Sequence, residues 1–341
     1  YEQRGIIGKG HLGHARRAYL PLQHGFTYFY GHYNGAIDYF THERDGELDW
    51  HRNDESIRED GYATDLVAAD AERFIQKAPP GKPWFLYVPF NAPHSPFQAK
   101  EEDLAKYAHI KNPNRRAYAA MVDSMDQAIG RILRAVESRP DADNTLVLFF
   151  SDNGGVSRAG SSNGPFRGEK LTVYEGGTRA AAVIRWPAAG LKGGRQFDER
   201  IGYIDVLPTM LAAAQAKIPR NLDGIDVLPA LTGKGSVPKR PWFTYMHQNQ
   251  EAHASVHWEK WKLVAHGDFF GENPKTPPKW ELYNLEDDPL EQNDVASKYP
   301  RIVARLRKQL VEFGSWRKEG VAAYDVGREG FKPPKDWIIT Q

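Results

Sequence analysis

The sequence contains no cysteine, no long apolar run and no excess of charge of either sign. The absence of cysteine excludes disulfides, thiolate metal sites and cysteine nucleophiles within these residues. No apolar run approaches the ~20 residues that a helix needs to cross a bilayer, so the sequence predicts no membrane span. With 45 basic and 44 acidic residues the formal net charge is +1, which gives no net attraction to nucleic acid. Any recognition of an anion must therefore be local.

The length of 341 residues suggests about two domains, on the usual prior of ~150 residues each. A composition of 40% hydrophobic and 26% charged residues is that of a globular protein rather than a disordered chain. The sequence begins at Tyr1 rather than Met, and no charged-then-apolar leader opens it. We therefore expect a processed chain or a fragment, and a signal peptide would precede Tyr1.

Apolar runs alternate with helical patterns through the first two thirds of the chain. Three runs have strand character: residues 84–90, 145–151 and 180–185. The first two are nearly continuous, which is typical of strands buried on both faces. Three helical patterns occupy residues 64–77, 118–139 and 204–214. This alternation predicts an α/β fold with a mostly parallel central sheet flanked by helices.

The composition changes to Gly, Pro and Lys at residues 231–241, and we place a domain boundary there, giving domains 1–235 and 236–341. Beyond it lie short aromatic-rich runs separated by turn residues, at 242–247, 255–258, 261–265 and 280–285. Apolar spacing predicts a final helix over residues 299–316. The second domain is thus predicted to be a smaller antiparallel sheet with a helix.

The segment SDNGG, residues 151–155, directly follows a predicted buried strand. Ligands of open α/β sheets bind at the carboxyl ends of the strands, so Asp152 and Asn153 are expected to face a crevice. Their oxygens suit Ca²⁺ or Mg²⁺ better than Zn²⁺. A tight turn is the alternative interpretation, since Asn-Gly is a favoured turn dipeptide. Two residues are also too few for Ca²⁺, which takes ~6 to 8 ligands, so other parts must contribute.

Two earlier loops carry cations. GKGHLG, residues 8–13, offers Lys9 as a point charge and His11 as a titratable donor, on glycines that allow close backbone approach. NAPHSP, residues 91–96, has prolines that stiffen the loop around His94. Solvated or structural loops are the alternative for both.

A fourth loop runs from FRGEK at residue 166 to YEGGTR at residue 174. Lys170 could hold an anion, and Glu175 with Arg179 could form a supporting ion pair. A charged loop before a strand is the alternative interpretation. The coincidence of four such loops predicts a metal-assisted site for a tetrahedral oxyanion.

These motifs, GKGHLG, NAPHSPFQ, SDNGG and FRGEKLTVYEGGTR, resemble in sequence and order those of sulfatases of the alkaline-phosphatase-like superfamily. The resemblance covers nearly the whole chain. Residues 24–29 and 38–43 are similar to the arylsulfatase B type, meaning N-acetylgalactosamine-4-sulfatase and its bacterial relatives, and residues 281–293 to the family's C-terminal subdomain. The resemblance implies an alkaline-phosphatase-like fold and hydrolysis of a sulfate ester, on a sulfated sugar or glycan.

The resemblance also implies a role for each matching residue. Asp152 and Asn153 would be Ca²⁺ ligands. The sulfate would be surrounded by Lys9, His11, His94 and Lys170, with Arg167, Glu175 and Arg179 in support. The implied nucleophile is a formylglycine hydrate made from Cys or Ser in C/S-x-P-S/A-x-x-R, whose alkoxide attacks sulfur. His94 would protonate the leaving alcohol, and His11 would assist the hydrate and its later collapse.

The sequence departs from the family where the site should begin. Neither the formylglycine motif nor the family's paired metal-binding aspartates precede Lys9, and Gly10 stands where sulfatases commonly have Trp. Residues 236–240 (SVPKR) only superficially match the nucleophile motif, because Lys239 replaces the small residue. We expect a chain that lacks the N-terminal part of the catalytic domain, binds Ca²⁺ poorly, is inactive alone, and exposes a sheet edge that lowers its solubility.

Two alternatives stay open. One is a noncatalytic sulfatase-like protein that binds sulfated glycans, and the other is a phosphomonoesterase or phosphodiesterase of the same superfamily. Residues 245–251, with His253, His257 and Trp258, are polar and aromatic enough to line a sugar pocket, or they form an ordinary loop between strands. The resemblance further implies export to a bacterial periplasm or the outside, and the sequence makes no prediction of oligomeric state.

Overall fold

The structure is a computed structural model that describes residues 1–248, 251–267, 278–316 and 332–338. Contacts divide the chain into two compact units. The first comprises Tyr1–Thr145 and Glu329–Gln341, and the second comprises Leu146–Arg328. This division by contacts does not test the domain boundary predicted at residue 235, which stays a prediction.

A mixed five-stranded sheet lies at the centre of the first unit. The strands of this unit are β1 (Gln3–Lys9), β2 (Tyr28–His32), β3 (Glu43–Arg44), β4 (Glu47–Leu48), β5 (His51–Arg52), β6 (Glu55–Ser56) and β7 (Trp84–Tyr87). The sheet has the order β6-β5-β2-β1-β7, while β3 and β4 form a separate pair. Strand β1 runs parallel to both β2 and β7, and β5 pairs antiparallel with β2 and β6. The parallel centre of the sheet is therefore β2-β1-β7.

Both faces of β1 are covered, which explains its apolar centre. Ile7 packs into the main core cluster with Tyr30 and Trp50, whereas Ile6 packs on the other face with Leu20 and Phe29. Burial on both faces is what a continuous apolar strand needs.

Three helices accompany this sheet: α1 (Ala63–Lys77), α2 (Glu101–Lys106) and α3 (Pro113–Glu137). Helix α1 matches its predicted span closely. Helix α3 begins earlier than predicted because the Asn112 side chain accepts a 3.0 Å hydrogen bond from the Arg115 backbone N–H, and Pro113 occupies the first turn.

The described C-terminal residues 332–338 also belong to the first unit. The Trp337 indole donates to the Arg44 carbonyl at 3.2 Å, and the Asp336 N–H donates to the Glu47 carboxylate at 3.0 Å. These bonds tie the segment to the β3–β4 pair.

The second unit opens with a two-stranded antiparallel pair, β8 (Val147–Phe150) with β9 (Ala182–Arg185). The prediction that residues 145–151 form a strand buried on both faces is wrong. Phe149 is 38% and Phe150 37% exposed, and Val183 on β9 is 64% exposed. Among the described residues β9 is the only strand that pairs with β8, so the apolar run has too few neighbours to bury it.

A four-stranded antiparallel sheet with a helix confirms the predicted C-terminal architecture. The remaining elements of the unit are α4 (Glu175–Thr178), α5 (Val206–Ala213), α6 (Leu228–Leu231), β10 (Trp242–Gln248), β11 (Glu251–Trp258), β12 (Trp261–His266), β13 (Lys279–Asn284) and α7 (Pro300–Gly314). The sheet runs in the order β10-β11-β12-β13. One face packs Leu263 and Leu282 against Leu306 and Leu310 of α7.

The opposite face of this sheet is polar. It carries Lys262, Val264, Glu281 and Tyr283, and it packs against Val173 and Tyr174 of the loop before α4. None of the helices in the described ranges has the length and apolar character needed to cross a membrane.

Candidate functional site

The loop carrying Lys9 and His11 leaves the carboxyl end of β1 between the ends of its two parallel neighbours. The Lys9 N–H donates to the Pro89 carbonyl at 2.7 Å, and the His11 N–H donates to the Tyr33 carbonyl at 3.0 Å. Gly8 has φ +131°, and a Cβ there would lie 2.1 Å from the Pro89 carbonyl oxygen. Only glycine permits this approach, so the first glycine of the motif fixes where Lys9 emerges.

The His11 ring lies against Gly35, where a Cβ would come within 2.5 Å of the ring Nε2. Gly35 follows Tyr33 and Asn34, whose backbone N–H groups both donate to the buried carboxylate of Asp49 at 2.9 Å. These hydrogen bonds hold the loop in place. Burial raises the pKa of Asp49, but the hydrogen bond from His51 and the other donors lower it to about 2. Asp49 is thus an ionised anchor beneath the His11 loop.

His94 lies on a loop after β7, flanked by cis Ala92–Pro93 and Ser95–Pro96 peptide bonds. Its N–H donates to the Asn91 carbonyl at 2.9 Å, and the Tyr39 hydroxyl donates to the His94 carbonyl at 2.9 Å. The ring Nδ1 lies 2.9 Å from the Ser95 carbonyl, which assigns a proton to Nδ1. A second proton would then be carried on Nε2.

Two buried polar residues, Asn91 within this loop and His32 at the end of β2, were not predicted as site residues. His32 is 1% exposed and Asn91 8% exposed, and neither side chain has a hydrogen-bond partner among the described residues. Burial lowers the pKa of His32 to about 4, although the charge of Asp49 opposes the shift. His32 ends β2 and is in register with Lys9, so strand-end reasoning could have found it.

In the second unit, the SDNGG loop is bound to the segment that carries Lys170. The Gly154 N–H donates to the Gly177 carbonyl at 3.0 Å, the Lys170 N–H donates to the Gly155 carbonyl at 3.1 Å, and Gly176 donates to Arg167 at 2.7 Å. Asn163 was not predicted. Its side chain accepts from the Gly155 N–H and donates to the Gly155 carbonyl, both at 2.8 Å, and so binds both backbone groups of Gly155. The structure therefore brings Asp152, Asn153 and Lys170 onto adjoining segments.

Asp152 is exposed, while Asn153 is half-buried and donates its amide to the Gly154 carbonyl at 2.9 Å. Carboxylate and amide oxygens fit Ca²⁺ in kind. They do not fit in number, because the described residues contain no group of three or more His, Asp or Glu side chains that could hold a metal. A calcium role for these two residues therefore stays a prediction.

Lys170 differs from the other charged residues of its segment. Its ammonium has no carboxylate partner in the described part of the chain. Arg167, in contrast, lies 4.0 Å above the Tyr174 ring and donates to the Tyr283 hydroxyl at 2.7 Å. Arg167 therefore supports the packing of the loop, whereas the charge of Lys170 is not neutralised by a carboxylate in the described residues.

Glu175 is the centre of a buried ion network. The Arg179 guanidinium is 3.9 Å from the Glu175 carboxylate, but Lys262 is closer, at 2.9 Å, and also contacts Glu291 at 2.9 Å. Burial raises the pKa of Glu175, and the charges of Lys262 and Arg200 more than offset that effect and lower it. The sequence did not indicate Lys262, which stands as a single charge within an apolar strand.

Comparison with known proteins assigns the chain to a family. The sequence profile described as Sulfatase matches residues 3–216. The chain belongs to the sulfatase family. A second sulfatase-family profile, described as N-sulphoglucosamine sulphohydrolase, C-terminal, matches residues 167–315 and so covers the polar-faced sheet and α7.

Two curated relatives illustrate the range of similarity of this sulfatase-family chain. Arylsulfatase J of Mus musculus is 30% identical over 355 residues, covering 90% of this chain and 59% of the relative. N-acetylgalactosamine-6-sulfatase of Mus musculus is 34% identical over 260 residues, covering 70% of this chain and 48% of the relative. The chain thus spans about half to three fifths of the length of these relatives.

A solved structure supports the fold of the sulfatase-family chain. The crystal structure of Ps i-CgsB in complex with k-i-k-neocarrahexaose has a TM-score of 0.85 and 28% identity, covering 95% of this chain and 74% of that one. This agreement confirms the predicted alkaline-phosphatase-like architecture. The 4-sulfatase subtype stays a prediction.

Within the sugar-pocket segment predicted at 245–251, Asn249 and Gln250 lie outside the described residues. The described neighbours His253 and His257 are half-buried and lie on the polar face of the sheet. The Arg200 guanidinium donates to His257 Nε2 at 3.3 Å, and burial together with the charge of Arg200 lowers the pKa of His257 to about 3.

Proposed function

We propose that the protein containing this chain hydrolyses the sulfate ester of a sulfated sugar or glycan. Lys9, His94 and Lys170 bind the sulfate oxygens in this proposal, and His11 assists the nucleophile. Asp152 and Asn153 supply two of the Ca²⁺ ligands, while Arg167, Glu175 and Arg179 hold the loops. Membership of the sulfatase family supports the reaction class, and a relative named for N-acetylgalactosamine-6-sulfate supports a sugar substrate.

The observation that carries the proposal is the binding of the SDNGG loop to the Lys170 segment. Backbone hydrogen bonds of 3.0 and 3.1 Å join the two. They join the loop that bears Asp152 and Asn153 to the segment that bears Lys170, which has no carboxylate partner in the described residues. A cation that is held in place but not neutralised suits recognition of an oxyanion.

His94 is the proposed general acid. The Ser95 carbonyl lies 2.9 Å from Nδ1 and fixes a proton there, so a doubly protonated ring presents its other proton on Nε2. Donation from Nε2 to the departing alcohol oxygen would then leave a neutral ring in a defined tautomer. The hydroxyl of Tyr39, bonded to the His94 carbonyl at 2.9 Å, keeps the loop in place during this step.

The nucleophile is proposed to lie upstream of Tyr1. The 341 residues contain no C/S-x-P-S/A-x-x-R motif, and the SVPKR segment at 236–240 lies far from the motif's expected position. Formylglycine would supply the nucleophile and Ca²⁺ would neutralise charge on the sulfate. The chain alone is therefore expected to bind sulfate esters without turning them over.

Calorimetric titration with 4-nitrophenyl sulfate tests this proposal. The wild-type chain is expected to bind this ester. Lys170→Ala should bind it at least tenfold more weakly, because a charge-assisted hydrogen bond is lost. Lys192→Ala, which changes an exposed lysine, should bind it like wild type. Higher salt should weaken wild-type binding. Equal affinity of Lys170→Ala and wild type would contradict the sulfate role of Lys170. Robust release of 4-nitrophenol by the chain would contradict the upstream nucleophile.

The noncatalytic alternative is favoured by one observation, the missing nucleophile motif. A protein of this kind would use the same cations to bind sulfated glycans. The full coding sequence distinguishes the two, because only the enzyme requires the motif. For the intact enzyme, we also propose export to a periplasm or the outside and a substrate of the N-acetylgalactosamine sulfate type.

A further inference from the structure

A cavity of about 160 Å³ lies at one end of the β10–β13 sheet, within the second unit. Its wall is formed by the turn between β11 and β12, the loop after β13, helix α4 and the segment before α5. A single water needs only ~10–15 Å³ of such space, so the cavity has room for a ligand of several atoms. Neither Lys170 nor Asp152 is among the described residues that line it. The cavity is therefore separate from the residues proposed to bind sulfate and calcium.

Arg200 brings an incompletely paired charge into this wall. Its guanidinium donates to the His257 ring at 3.3 Å, and the Glu175 carboxylate lies 3.8 Å away, which is too far for a hydrogen bond. The Arg200 Nε–H is buried and has no hydrogen-bond partner in the part of the chain that the structure describes. Burial also lowers the pKa of Arg200, although the charge of Glu175 opposes the shift. A buried N–H that no protein group accepts calls for an acceptor from outside the chain.

Two carboxylates of the wall are bound by lysines. The Lys262 ammonium lies 2.9 Å from Glu175, and the Lys239 ammonium lies 3.2 Å from Glu259. The third wall carboxylate, Glu286, is exposed, so solvent and salt screen its charge. The carboxylates therefore contribute little net negative charge to the cavity.

Three cations line the cavity, namely Arg179, Arg200 and Lys260. Arg179 lies 3.9 Å from the Glu175 carboxylate and shares it with Arg200. The Lys260 ammonium lies 5.5 Å from the centre of the Trp261 ring and forms no ion pair among the described residues. Those residues also contain no cluster of His, Asp and Glu side chains that could hold a metal. The wall thus favours an anion over a metal cation.

We propose that this cavity binds a small divalent oxyanion of the sulfate or phosphate type, with Arg200 as the principal ligand and Arg179 and Lys260 as flanking cations. A guanidinium can donate two parallel N–H groups to such an anion. The bound anion supplies the acceptor that the chain does not provide, and it stabilises the folded state by linkage. The anion can be a free ion or a group carried by a sugar, because both present the same oxygens. This inference goes beyond the proposed function, which assigns the reacting sulfate to other residues.

Calorimetric titration of the Lys170→Ala chain with sodium sulfate tests this site apart from the one at Lys170. Binding is expected to persist in this background and to weaken at least tenfold when Arg200→Gln is added, because charge-assisted hydrogen bonds are lost. Arg195→Gln is the matched control, since it changes an exposed arginine of the same segment and should leave the affinity unchanged. Glucose 6-sulfate distinguishes the two sources. Comparable affinity assigns the site to a sulfate group on a sugar, and binding of inorganic sulfate alone assigns it to the free ion.

Two substitutions with opposite effects separate anion binding from a folding defect. Lys260→Gln removes a cation and should weaken sulfate binding about threefold, whereas Glu286→Gln removes a carboxylate and should strengthen it about threefold. Damage to the fold would weaken binding in both variants.

Sulfate binding that is absent from Lys170→Ala, or that is equal with and without Arg200→Gln, would overturn the proposal. Neither result contradicts the proposed function, because titration of Arg200→Gln with 4-nitrophenyl sulfate reports on the Lys170 site alone.

Discussion

Gly154 and Gly176 approach each other so closely that a Cβ on Gly154 would lie 1.9 Å from the carbonyl oxygen of Gly176. This contact joins the loop that bears Asp152 and Asn153 to the segment that bears Lys170. The glycine at position 154 is thus explained by a close approach of two backbones.

Gly154→Ala should therefore separate the two loops. We expect a loss of about 3 kcal/mol in the free energy of unfolding, because the added methyl meets backbone rather than a movable side chain. Sulfate binding that depends on Lys170 should fall as well. Gly130→Ala is the control, since its Cβ on α3 meets only the end of Arg134 at 3.4 Å and should stabilise the helix by about 1 kcal/mol. Urea unfolding of both variants measures the difference, and a Gly154→Ala protein as stable as wild type contradicts the packing argument.

Lys262 is the only counter-ion within 3 Å of both Glu175 and Glu291 in the described residues. Lys262→Met removes the nearest positive charge from two buried carboxylates. We expect a loss of about 4 kcal/mol in the free energy of unfolding. Lys260→Met, two residues earlier and next to the Trp261 ring, should change it by less than about 1 kcal/mol. Chemical denaturation of the two variants compares them, and similar midpoints would show that the ion network contributes little.

The positions of the candidate site residues could be predicted because each follows an apolar run. Lys9, His94 and Asp152 come directly after segments with strand character, and the carboxyl ends of such strands are where polar residues face a ligand. The C-terminal sheet and α7 were also predictable, since aromatic-rich runs and helical spacing are local signals.

The buried partners could not be predicted in the same way. Glu175 contacts Lys262 and Glu291, which lie 87 and 116 residues further along the sequence. Local sequence patterns do not indicate contacts at such separations. Burial of Phe149 and Phe150 was overestimated because it depends on neighbouring strands, which an apolar run does not specify. Local patterns give the elements, whereas the arrangement of the elements decides which charges and rings are buried.

His32 should make stability depend on pH. Its pKa is lowered from 6.5 to about 4, so between these values the unfolded chain binds a proton that the folded chain does not. Stability is then full above pH 6.5 and falls as the pH drops toward 4, by about 3 kcal/mol in total. His32→Phe, whose ring can still stack on Trp50, should lose this part of the dependence. Unfolding measured at pH 7.5 and 4.5 checks it, and identical pH dependence in both proteins would contradict it.

Calcium should bind weakly to residues 1–341. The two proposed ligands, Asp152 and Asn153, are too few for Ca²⁺, which takes ~6 to 8, so we expect a Kd above about 1 mM by calorimetry. Asp152→Asn should reduce the residual binding further. A micromolar Kd that survives Asp152→Asn would mean that the metal site lies elsewhere.

Sequencing the coding region upstream of Tyr1 distinguishes the proposed sulfatase from the noncatalytic binder. We expect an open reading frame that encodes a pair of aspartates and a C/S-x-P-S/A-x-x-R motif or its shorter C/S-x-P-S-R core, which would supply the further metal ligands and the nucleophile. A start codon at or just before Tyr1, with neither motif, would contradict this expectation and would leave the noncatalytic binder as the function of this sulfatase-family chain.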